Sequence, residues 1–134
     1  MPPRENATVN VLVVEDETDL RATVVTLIEL LGYRVIEAAD TDIALEIING
    51  DASIDLLFSD VVTPGKCDGV ELAERALAHR PALKVILTTG YDDDPDRVVE
   101  HFAPWPILFK PYQRDDLAKA FAEILDQETI DQES

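Results

Sequence analysis

The sequence predicts an α/β fold of five alternating strand–helix units, (βα)5, doubly wound about one parallel five-stranded sheet. Two observations carry this expectation. Short runs of β-branched and apolar residues, such as Val9–Val14, recur without the polar alternation of a sheet that has one wet face. Between them lie stretches whose apolar residues repeat at helical spacing. Strands covered on both faces and linked by helices form a parallel sheet with right-handed crossovers. At 134 residues and 46% apolar, the chain has room for one domain with a sizeable core.

Taken in order, residues 1–8 form a polar lead and Val9–Val14 the first strand. In the next segment Leu20, Val24, Leu27, Ile28 and Leu31 fall on one helical face, closed by Gly32 at C′. Residues 33–38, "YRVIEA", read as the second strand. Residues 41–50 give a short helix with Ile43, Ile47 and Ile48 inward, Thr41 or Asp42 as cap and Gly50 as stop. The apolar run Ile54–Phe58 leads to Asp60 and is the third strand. A helix from Asp68 to about Arg80 turns Val70, Ala73, Ala76 and Leu77 inward, and Pro81 ends it. Residues 83–90, "LKVILTTG", are the fourth strand. Pro95 near N1, with acids in the first turn, starts a fourth helix. "PILF" at 106–109 is a short fifth strand before Lys110-Pro111. The last helix buries Leu117, Phe121, Ile124 and Leu125, and a frayed end is expected beyond it. The domain therefore spans 9–126, between the lead at 1–8 and an acidic tail at 127–134.

Charge excludes some functions. With 28 acids against 11 bases, a net charge of −17 repels phosphate backbones, so direct nucleic-acid binding is not expected. No apolar run nears the roughly 20 residues that span a bilayer. The N-terminus lacks the pattern of a signal peptide, which predicts a cytoplasmic protein without membrane contact. The lone cysteine, Cys67, cannot form an internal disulfide and reads as a small side chain. His79 and His101 stand alone on predicted helices and read as surface residues.

In doubly wound sheets, ligands bind beyond the carboxyl ends of the strands. Glu15-Asp16 follow the first strand, Asp60 the third, Thr89-Gly90 end the fourth and Lys110-Pro111 follow the fifth. Three carboxylates in one cleft repel each other by roughly 4 kcal/mol per pair at about 4 Å and an effective dielectric near 20. A cation relieves that cost, and an all-oxygen donor set suits Mg²⁺. A carboxylate, a divalent cation, an ammonium and a hydroxyl together make a phosphoryl-transfer site. In the fourth strand Thr88 competes with Thr89 for the hydroxyl role.

Those four strand-end motifs, in that order, resemble the receiver domain of response regulators in bacterial two-component signalling, over about Asn10 to Leu125. The resemblance implies a flavodoxin-like sheet with strand order 2-1-3-4-5. It implies that Asp60 accepts a phosphoryl group from a phosphohistidine on a sensor histidine kinase or histidine phosphotransfer protein. Asp16, Asp60 and the backbone carbonyl of Val62 would ligate Mg²⁺, and Glu15 would reach it through water. Thr89 and Lys110 would bind phosphoryl oxygens. The modified domain would engage a downstream protein target, and weak homodimers fall within the family's habit. Such a domain is not an enzyme in the usual sense, since it acts only on its own aspartate. The hydroxyl that directly precedes a small residue in the family matches Thr89 before Gly90.

Two departures stand out. Ile107 lies three residues before Lys110, where the family usually has a rotating Tyr or Phe, so Trp105 or Tyr91 is the available substitute. The loop from Pro64 to Gly69 is one residue longer than the shortest family form. With "TTGY" at 88–91, this resembles stand-alone receivers or those of hybrid kinases, and the Met1 start favours a free-standing or N-terminal placement. The rival reading is a degenerate receiver that only binds proteins. A haloacid-dehalogenase-type hydrolase needs an acid two residues after the nucleophile, where this chain has Val62. A dinucleotide enzyme needs a Gly-rich turn after the first strand, which this chain lacks.

Overall fold

The computed structural model describes residues 9–62, 65, 67–90, 105–110 and 112–133, with side chains as far as 125. Its elements are β1 (Asn10–Val14), α1 (Thr18–Leu30), β2 (Arg34–Ala38), α2 (Thr41–Asn49), β3 (Leu56–Asp60), α3 (Gly69–His79), β4 (Lys84–Thr89), β5 (Ile107–Phe109) and α4 (Arg114–Glu133). The helix expected from Pro95, with Tyr91 and His101, lies outside the described residues. The sheet order is β2-β1-β3-β4-β5 and every neighbouring pair is parallel. Both match the expected topology.

Strand alternation divides the core into two layers. Leu12, Val14, Leu57, Val85 and Leu87 face one side, where Ala44 and Ile48 of α2 and Leu72, Ala73 and Ala76 of α3 cover them. Val11, Val13, Leu56, Phe58 and Ile86 face the other, under Val24 and Ile28 of α1 and Leu117 and Phe121 of α4. Phe121 anchors the second layer, with its ring 5.2 Å from that of Tyr33 and 5.7 Å from that of Phe58. Burial on both faces explains why the central strands carry no polar alternation. The cost is that their backbone must pair fully, which the sheet's centre supplies.

Three local expectations are corrected. In α2 the cap is Asp40, not Thr41 or Asp42, and its Oδ1 accepts from the Ile43 N–H at 2.8 Å. Ile48 is inward as expected, four residues from the buried Ala44, and Ile47 packs against the same layer, whereas Ile43 is left at 40% exposure. Thr41, displaced from the cap, is buried. Removing the cap by Asp40→Ala is expected to cost about 1 kcal/mol, read as a lower urea midpoint with an unchanged slope. In α3 the cap is Asp68, whose Oδ1 accepts from Glu71 N–H at 2.9 Å, and Leu72 joins Ala73 and Ala76 inside. Finally, α4 continues to Glu133 where a frayed end was expected. No Pro or Gly follows Arg114 to stop it.

Arg80 ties the two helices of the first layer together at their ends. Its Nε donates to the Ile48 carbonyl and its Nη2 to that of Gly50, both at 3.0 Å. Two carbonyls that the end of α2 leaves unpaired are satisfied in this way.

Candidate functional site

Because all five strands are parallel, their carboxyl ends share one rim. Glu15 follows β1 directly and Asp60 is the last residue of β3, its neighbour in the sheet. Both are buried, at 4% and 7% exposure, while Asp16 is exposed. One oxygen from each of Glu15, Asp16 and Asp60 lies within 4.8 Å of the other two. Lys110 arrives from β5, held by its N–H to the Thr89 carbonyl at 2.9 Å. Its Nζ donates to Asp60 Oδ2 at 2.7 Å and to Glu15 Oε1 at 3.0 Å. Three chain segments, the ends of β1 and β3 and the residue after β5, thus converge on one point.

The remaining carboxylate oxygens are held by backbone. Val62 N–H donates to Asp60 Oδ1 at 3.3 Å and Glu17 N–H to Glu15 Oε2 at 3.1 Å. Burial pushes the pKa of Asp60 up; Lys110 and the Val62 N–H oppose this, and the Asp16 charge adds to it. Glu15 is raised for the same first reason, against the Glu17 N–H and Lys110. Burial pulls Lys110 down, but its bonds to Asp60 and Glu15 outweigh that and leave it raised. One ammonium therefore only partly offsets the cost of ionising the acids in this place.

The hydroxyl candidates both lie inside. Thr89 is fully buried and Thr88 is 2% exposed. Thr88 pairs in register with Asp60, whereas Thr89 stands one position beyond, at the rim. Val62, like Asp16, is exposed, with 63% of its surface in solvent. Pro64, Lys66 and Pro111 of the strand-end motifs lie outside the described residues. Ile107 packs against the first core layer beside Trp105 and pairs with Leu87, so an aliphatic side chain does occupy the position of the family's rotating aromatic.

Two residues of the site escaped the sequence reading. Arg21, one turn into α1, donates from Nη1 to the Glu15 carbonyl at 2.8 Å and from Nε to Glu37 at 3.1 Å. Its only signal was a basic residue on the helix after the acid pair. Tyr112 sets its ring edge-on to Phe58, with centroids 6.0 Å apart. Burial raises its phenol pKa, and the charges of Glu15 and Asp60 raise it further.

The donor set fits a hard dication. Three carboxylates supply oxygen alone, two of them from buried positions that are costly to ionise, and this matches the chemistry by which Mg²⁺ is held.

A family described as the response regulator receiver domain matches residues 11–122 of the chain. This chain belongs to that family. The receiver domain is 32% identical over 118 residues to the response regulator receiver protein CpdR of Brucella abortus (strain 2308), covering 86% of this chain and 95% of that protein. It is 35% identical over 120 residues to the sensor kinase CckA of the same strain, covering 88% of this chain but 13% of the kinase. It is 31% identical to the C4-dicarboxylate transport transcriptional regulatory protein DctD of Rhizobium meliloti (strain 1021), of which it spans 25%. Among solved structures, a CheY-like receiver domain protein from Methanospirillum hungatei JF-1 superposes with a TM-score of 0.78. Identity to it is 28%, covering 92% of this chain and 98% of that one. The receiver domain of the hybrid histidine kinase CckA superposes at 0.71 with 33% identity, covering 87% of this chain and 98% of that one. The receiver domain is therefore a component of two-component signalling, with the α/β fold of CheY-like proteins.

Proposed function

We propose that this receiver domain accepts a phosphoryl group on Asp60 from the phosphohistidine of a sensor histidine kinase or phosphotransfer protein, and that the modified state changes which protein it binds. The observation that carries this reading is the Lys110 ammonium, bonded to both Asp60 and Glu15 beside a third carboxylate. An Asp60 oxygen attacks phosphorus, the phosphorus–nitrogen bond breaks, and the imidazole nitrogen keeps the bonding pair. Lys110 turns from the acids to the incoming phosphoryl oxygens, and Thr89 at the rim offers a hydroxyl to the same group. Asp16, Asp60 and the Val62 carbonyl would hold Mg²⁺, with Glu15 behind them. When bound, the ion would neutralise the charge of the transferred group. The fixed backbone of β3 holds the acceptor oxygen still for in-line attack.

The domain acts once on itself, so it is a switch and not an enzyme with turnover on a separate substrate. Likeness to a receiver protein along nearly its full length, and to a segment of a sensor kinase, supports a kinase or phosphotransfer protein as donor. A cytoplasmic setting goes with that donor. Among the described residues no helix is long and apolar enough to cross a membrane.

The test is to incubate the chain with Mg²⁺ and phosphoramidate and to weigh it by mass spectrometry. One added phosphoryl group is expected, absent without Mg²⁺ and absent in Asp60→Asn. An unmodified wild type, or equal modification of the variant, would leave the domain as a protein-binding module only.

A further inference from the structure

Thr41 opens α2 and is fully buried, yet its hydroxyl is spent on a distant segment. It donates to the Cys67 carbonyl at 2.8 Å, across 26 residues of sequence. Cys67 itself is buried in the first core layer. Gly65, two residues earlier, has φ of 126°, a conformation that favours glycine. It also lies so close to Thr41 that a Cβ there would overlap the Thr41 hydroxyl oxygen. At its two ends the same loop is tied back to β3. Val62 N–H bonds Asp60 Oδ1, and Gly69 N–H bonds the Val61 carbonyl at 2.8 Å.

We propose that the Thr41 hydroxyl is a positioning group for the loop from Asp60 to Cys67, coupling the start of α2 to the cation site at the sheet rim. The proposal rests on the reading of that site as a Mg²⁺ site. An apolar residue would fill the Thr41 position as well as packing demands, since Leu72, Ala73 and the other first-layer side chains are apolar. What it could not do is satisfy the buried Cys67 carbonyl. The bond to Cys67, with Gly65 seated against the same threonine, fixes the chain five residues beyond Val62. Coupling of this kind is reciprocal: if Thr41 improves cation binding, the cation must strengthen the Thr41 tether by the same factor.

The experiment compares wild type, Thr41→Ser and Thr41→Val on the full chain. Magnesium chloride alone is titrated by calorimetry, and thermal midpoints are recorded with and without it. Valine keeps the volume and removes the hydroxyl, whereas serine keeps the hydroxyl. Thr41→Val is expected to weaken Mg²⁺ binding by about three- to tenfold, on the order of one hydrogen bond, with Thr41→Ser within about twofold of wild type. Equal Mg²⁺ affinity in wild type and Thr41→Val, whatever happens to the midpoint, overturns the proposal and leaves the metal reading intact. Failure of wild type to bind Mg²⁺ overturns both. Should Thr41→Val not fold, amide spectra of wild type decide. The Thr41 and Ile43 amides are expected to shift with the same Mg²⁺ midpoint as Val62, and their immobility would overturn the coupling.

Discussion

Gly69→Ala is expected to destabilise the chain by about 3 kcal/mol or more and to lower its thermal midpoint by roughly 10 °C. Helix propensity alone points the other way, since alanine is favoured over glycine in a helix by up to about 1 kcal/mol. The reason for the reversal is space. Gly69 begins α3 directly against the end of β3, and a Cβ there would collide with the Asp60 carbonyl oxygen. It would also stand 2.8 Å from Val61 Cα and 3.0 Å from the Asp60 carbonyl carbon. These are backbone atoms of β3 and its exit, so no side chain can rotate away to make room. Among the described residues the positive-φ glycines are Gly32 and Gly65, so Gly69 is needed for its missing Cβ and not for its dihedral. Either α3 moves or β3 bends, and both disturb Asp60. Urea denaturation of the variant checks this. A midpoint equal to or above that of wild type would mean that α3 can shift freely on the sheet.

Lys110→Met should destabilise the chain by about 2 kcal/mol near neutral pH, in the presence of a chelator. Breaking a fully buried ion pair costs more, but the Lys110 side chain keeps 21% exposure and water screens part of the loss. The deficit should depend on pH, and its sign follows from the acids left behind. Burial already raises Glu15 and Asp60, and without the ammonium they rise further. A carboxylate with a raised folded pKa contributes stability below its unfolded value, and that contribution is lost as pH rises through the folded value. The variant is therefore closest to wild type in the range of ordinary carboxylate pKa values, and falls behind as pH climbs above it. The raised pKa of Lys110 keeps the wild-type ammonium charged throughout that window. Denaturation curves at two pH values, one on each side of the raised acids, give the measurement. A deficit that does not change with pH would assign the role of Lys110 to packing alone.

The architecture was legible because the central strands are apolar on both faces and the helices between them show one apolar stripe. The site was legible because a parallel sheet sends every strand end to one rim, and the strand order that the resemblance implies brings Glu15, Asp16 and Asp60 side by side there. What escaped were choices that adjacent residues leave open. In α2, Ile43, Ile47 and Ile48 are all apolar, and the helix is too short for periodicity to say which of them leaves the core. Its cap was misread because threonine caps helices well, and only the contact with Cys67 shows that Thr41 is used elsewhere. Arg21 meets the Glu15 backbone and Tyr112 meets Phe58 through tertiary packing, for which spacing along the chain gives no signal. Ile107 was readable as a departure, and the fold gives it an ordinary place in the first core layer.

The ammonium of the site hangs from the least secured strand. β5 has three residues and lies at the margin of the sheet, and the Lys110 N–H that follows it donates to the Thr89 carbonyl. Peeling of so short a strand is a far smaller excursion than global unfolding. In such an excursion Glu15 and Asp60 would lose the counter-charge that Lys110 gives them. Whatever grips that peripheral ribbon from outside would therefore steady the counter-charge that Glu15 and Asp60 share.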